Sequence, residues 1–106
     1  MKLNDYQIQA KNTAIYPKDK AVVYPALGLA GEAGEVANKV KKVLRDRTEI
    51  KDVSKDIAYE IGDCLWYISL LADDIGWDLE SIAKLNLDKL QDRVNRGKLS
   101  GSGDNR

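Results

Sequence analysis

The apolar positions of this chain recur every three to four residues in four blocks, and no stretch alternates with the period of two that a strand needs. The first block is short. Asn4 is placed to cap it, with Gln7 three residues on as in a capping box. Tyr6, Ala10 and Ala14 give its stripe, and Pro17 ends it. Residues 18–23 read as a loop. Pro25 suits the first turn of a second helix, whose stripe runs from Ala26 through Leu29, Val36 and Val43 to about Asp46. The charged residues 47–53 read as a mobile loop, after which Ser54 is the expected cap of a third helix. That helix has Ile57, Ile61, Leu65, Ile68 and Ile75 on its main stripe, and Trp66 and Leu70 off it. An apolar surface that wide predicts a second buried face, against another subunit. Gly76 ends the third helix and Asp78 caps a fourth, with Leu79, Ile82, Leu87, Leu90 and Val94 along one side and Gly97 as its stop. The pattern therefore predicts an all-α, antiparallel four-helix bundle over residues 1–97, oligomeric, followed by a flexible Gly/Ser-rich tail, 98–106.

Polar residues at the edges of these stripes carry the chemistry. Glu32 and Glu35 lie three apart on the second helix, Glu60 and Asp63 three apart on the third. That spacing puts each pair on one helix face, roughly 5 Å apart. Two such helices side by side aim four carboxylates at one point beside a hydrophobic core. Without a cation the arrangement is costly, and a hard divalent metal with oxygen ligands resolves it. The ordinary alternative is four solvated flank charges, and either pair alone would be weak evidence. The fourth helix carries a row of Asn86, Lys89 and Arg93. It reads either as a polar rim or as a phosphate clamp, in which Lys supplies a point charge and Arg a planar fork. Asn86 projects into the apolar arc, where a buried amide would need partners. Tyr67, one turn past Asp63, is placed either for packing or for stacking on a nucleobase. Gly28, Gly31 and Gly34 are costly inside a helix, and Gly28 is placed to leave room for a ligand.

Composition narrows the choice. The 106 residues are enough for one domain, and 17 acids balance 17 bases, so no electrostatic case for nucleic acid or membrane partners arises. The one cysteine, Cys64, forms no intrachain disulfide, and no signal-like or membrane-spanning run is visible; a soluble cytoplasmic protein is expected. Histidine is absent, which excludes His-based zinc sites, His general bases and the Glu-x-x-His di-iron pattern. Catalysis has to run on carboxylates, Lys, Arg, Tyr or a bound metal.

The pattern E-x-x-E, 24 residues, E-x-x-D resembles the all-α nucleoside triphosphate pyrophosphohydrolases, in particular the small single-domain MazG-like branch. Leu29–Val36 resembles the family's first metal helix, Glu60–Tyr67 its second, and Asn86–Arg93 its phosphate helix. The resemblance implies magnesium, with manganese as its substitute, bound by Glu32, Glu35, Glu60 and Asp63. It implies cleavage of a nucleoside triphosphate between the α and β phosphates, with Asn86, Lys89 and Arg93 holding the substrate. It also implies a homodimer or homotetramer with sites near subunit interfaces, and a house-cleaning role on the nucleotide pool. The same fold supports phosphoribosyl-ATP hydrolysis, and a helical interaction module without activity is the reading from a different class.

Overall fold

The structure, a computed structural model describing residues 1–106, contains four α-helices and no strand. They are α1 (Leu3–Lys11), α2 (Val23–Asp46), α3 (Ile50–Asp74) and α4 (Leu79–Asn95), with a short 3-10 turn at Lys18–Lys20. No helix is long and apolar enough to cross a membrane. The extensive packings are α2 along α3, α1 on α3 and α1 on α4. The four helices are not drawn into one closed cluster within the chain. The radius of gyration is 16.6 Å, against about 13 Å for a compact chain of this length.

The stops of α3 and α4 follow from glycine. Gly76 at φ 83° and Gly97 at φ 67° occupy the left-handed region that other residues avoid. Behind each, the next residue donates back into the helix, Trp77 N to the Ala72 carbonyl and Lys98 N to the Arg93 carbonyl. These are Schellman closures, and they turn the chain sharply at both points.

The start of α4 is built by three side chains. Asp78 accepts from Ser81 N at 3.0 Å, as expected. Asn4 Oδ1 accepts from Glu80 N at 3.0 Å, and Gln7 Oε1 accepts from Leu79 N at 3.0 Å. The same Gln7 amide donates to the carbonyls of Ser69 and Trp77. Asn4 and Gln7 therefore do not cap α1. That helix begins earlier, at Leu3, where Asp5 accepts from Lys2 N, and it ends at Lys11, well before Pro17. The two residues satisfy the orphan donors of a helix more than seventy positions away.

Two other boundaries differ from expectation. The connection between α2 and α3 is three residues, Arg47–Glu49, not seven. Arg47 adopts the left-handed conformation (φ 56°) and α3 restarts at Ile50, with Asp52 favourably placed in its first turn. Ser54 sits inside α3, its hydroxyl donating to the Lys51 carbonyl. At the entry to α2, Val22 takes φ 68° and ψ −57° in a γ-turn closed by Val23 N to the Ala21 carbonyl. That conformation is strained for a β-branched residue. Asp74 pins it, accepting from Val22 N at 2.9 Å and from the Tyr16 hydroxyl at 2.8 Å.

Only nine of 106 residues are buried, so the apolar stripes are mostly uncovered. The face of α3 expected to be spare is the one α1 covers. Leu70 and Ser69 are almost fully buried there, and the Trp66 indole donates to Thr13 Oγ1 at 2.7 Å. Ile61, Ile68 and Ile75, on the expected main stripe, are exposed. On α4 Leu79 is the one buried apolar residue, while Leu87, Leu90 and Val94 face outward.

Candidate functional site

Glu32 projects from the middle of α2, and Glu60 and Asp63 from the middle of α3. Because these helices pack along their lengths, three carboxylates meet, with one oxygen of each within 4.8 Å of the others. Glu32 and Glu60 are half-buried and Asp63 is exposed. The electrostatic consequence falls on Glu32. Partial burial, a hydrogen bond shared with Glu60 and repulsion from Asp63, Glu60 and Glu35 hold its carboxyl above the usual range. Glu35, one turn on, faces solvent and lies outside the trio, although Glu32 feels its charge. Cys64 sits in the same field. Burial first, then the three acids, push its thiol up.

An aromatic wall adjoins the acids. Tyr16 and Tyr24 stack at 4.9 Å, Tyr24 tilts against Tyr67 at 6.3 Å, and Trp66 meets Tyr67 edge-on at 4.9 Å. The Tyr67 phenol is raised by burial, by Tyr24 and then by the charges of Glu32 and Asp63, so it lies within their electrostatic reach. From α1, Tyr6 also feels Asp63, its phenol raised by burial first. Gly28 does not open a ligand space. The Tyr67 ring fills it, and a Cβ there would collide with that ring at its Cε1. Gly31, Gly34 and Gly62 face open space.

Of the eight residues singled out in the sequence, Glu32, Glu60 and Asp63 come together, with Tyr67 beside them and Glu35 at the margin. The α4 row does not join them within the chain. Asn86 is exposed, not drawn into an apolar arc, and lies with Ile82, Leu85 and Lys89 around a shallow hollow that no acid lines. Lys89 and Arg93 instead meet Asp104 of the segment after α4. Tyr24, Tyr16 and Asp74 went unnoticed in the sequence. Tyr24 had a usable signal, since it precedes Gly28 by four and so shares its helix face. Tyr16 and Asp74 had none, because their pairing spans 58 residues.

The donor set suits a hard divalent cation. It is all oxygen, it is crowded enough to hold one carboxyl above its usual range, and a dication would relieve that repulsion.

Comparison with known proteins agrees with this chemistry. The model of the MazG nucleotide pyrophosphohydrolase domain matches residues 25–97. The chain is 44% identical to the Gene 37 protein of Mycobacterium phage L5 across the whole of both chains. It is 36% identical to the uncharacterized protein YvdC of Bacillus subtilis (strain 168), over 61% of this chain and 68% of that one. No solved structure matches it.

Proposed function

The chain belongs to the MazG nucleotide pyrophosphohydrolase family, and from that premise we propose that it hydrolyses a nucleoside or deoxynucleoside triphosphate at the α–β anhydride. The products are a monophosphate and pyrophosphate, and the role is removal of unwanted nucleotides from the pool. The observation that carries this reading is the meeting of Glu32, Glu60 and Asp63. These three, with Glu35, would hold magnesium, for which manganese can substitute. A divalent cation supplies charge neutralisation at the phosphate oxygens and stabilises the leaving pyrophosphate.

The chain's own residues have distinct tasks. Glu35 or Glu32 would accept the proton of the attacking water, and of the two Glu35 is the one that faces solvent. The water oxygen bonds to phosphorus as the bridging oxygen departs with pyrophosphate. Tyr67 and Tyr24 offer ring faces for the base. Asn86, Lys89 and Arg93 bind the phosphates, and since α4 stands clear of the acids, they serve the acids of a second copy. The outward-facing Leu87, Leu90 and Val94 and the open stripe of α3 support a homo-oligomer, a dimer or a tetramer.

The test is pyrophosphate release from a panel of canonical and modified nucleoside triphosphates, with and without magnesium. Metal-dependent release is expected, and silence across the panel from folded protein would refute the reading. A mixing experiment then addresses the second copy. Glu35→Gln and Lys89→Ala chains, each inactive alone, should regain about a quarter of full activity after 1:1 exchange, because about half of the dimers are then mixed and one of the two sites in each is intact. No recovery would place acids and cations of one site on the same chain.

A further inference from the structure

Arg93 is a buried cation whose counter-charge comes from outside the helices. Its side chain is only 6% exposed. The one residue whose side chain or backbone partners its guanidinium is Asp104, through both the main-chain carbonyl and the carboxylate at 3.6 Å. The turn at Gly97 makes this geometry available by sending the chain back along α4. Arg106 then ties the returning segment into a loop, donating to the carbonyls of Lys98, Leu99 and Gly103. The loop presents the Asp104 carboxylate to Lys89 Nζ at 3.3 Å as well. Lys89 first, and Arg93 second, hold that carboxyl below its usual range. An anionic oxygen set over a Lys and an Arg on one helix face is what a phosphate group would present there.

We propose that segment 98–106 is a displaceable strap, in which Asp104 occupies the Lys89–Arg93 anion site until a polyphosphate displaces it. The proposal rests on the reading of Lys89 and Arg93 as the phosphate clamp. Two physical facts make the exchange workable. The Arg93 guanidinium is desolvated and costly to leave without an anion, so strap and substrate alternate instead of leaving the site bare. Asp104 itself is 87% exposed, and ion pairs to so exposed a partner are weak and screened by salt, so the strap yields readily. Its effect is to set a threshold concentration of substrate without touching the chemistry at the acids.

Binding of inorganic tripolyphosphate to the full chain, measured by calorimetry in chelator without divalent cation, tests this. Asp104→Asn should tighten the dissociation constant about two- to tenfold, as expected for losing a weak exposed competitor. Arg106→Ala, which unties the loop, should move it the same way, and Lys89→Ala should weaken binding. Equal binding by Asp104→Asn and the parent chain, with Lys89→Ala weakened, overturns the strap and leaves the clamp standing. Unchanged binding by Lys89→Ala removes the clamp, and the strap with it. Absence of binding by both the parent and Asp104→Asn also overturns the proposal.

Discussion

The acids and the cations of this molecule are held in opposite ways. Glu32, Glu60 and Asp63 stand on two long helices packed along their length, braced by a ring of aromatics and by Tyr67 seated in the notch that Gly28 leaves. Lys89 and Arg93 stand on a helix whose hydrogen bonds to α1 come at its first turn, through Gln7 and Asn4. A cation site for hydrolysis requires fixed ligand positions, and a rigid helix pair supplies them. Gripping a flexible polyphosphate tolerates movement, and a projecting helix supplies that. The difference assigns precision to α2 and α3 and adaptability to α4.

The sharpest way to break this contrast is at the acids. Asp63→Asn should lower turnover by at least on the order of 10²–10³, with helicity unchanged and magnesium no longer raising the unfolding temperature. Pyrophosphate release, circular dichroism and thermal melts check this, and retained turnover would dissolve the distinction. The next effect is on the rigid pair itself. Gly28→Ala adds helix propensity, yet its Cβ collides with Tyr67. The steric cost, about 1–3 kcal/mol, should outweigh the gain of up to about 1 kcal/mol, so the variant should melt lower. A variant that melts higher would show that Tyr67 is free to move. The smallest effect concerns Tyr16, whose phenol is pushed up to about 12 from 10.0, by burial first and then by its hydrogen bond to Asp74. A raised folded-state pKa favours the protonated native form. The stabilisation is present below pH 10 and is lost as pH rises from there through about 12. Denaturant titrations across that window should show Tyr16→Phe with a flatter alkaline limb.

Much of the helical frame was legible because local chemistry set it. Gly76 and Gly97 read as stops and Asp78 as a cap, and each does that in the structure, as α2 does in ending at Asp46. The misreadings share a cause. Asn4 and Gln7 have the residue types of a local capping box but spend them on Glu80 and Leu79, a use no local window reveals. The charged run 47–53 looked like a loop, yet from Ile50 onward it is helix, since charge by itself does not break one. Leu70 fell off the principal stripe of α3 because periodicity weighs residues by neighbours along the helix, whereas α1 approaches from the other side. At the site, the i, i+3 spacing located both acidic pairs. It did not anticipate that Glu35 would stand apart from the other three, which depends on how α2 is rotated against α3.

The Gln7 side chain has a consequence for the order of assembly. Its partners lie 62, 70 and 72 positions further along the chain. On the ribosome its amide is therefore made early and must remain hydrated until residues 69 to 79 have emerged. By then α2 and α3, joined by three residues, have already had time to pair through local contacts. The acid-bearing hairpin is thus free to form during synthesis, while α1 acts afterwards as a latch that closes only once the start of α4 is present.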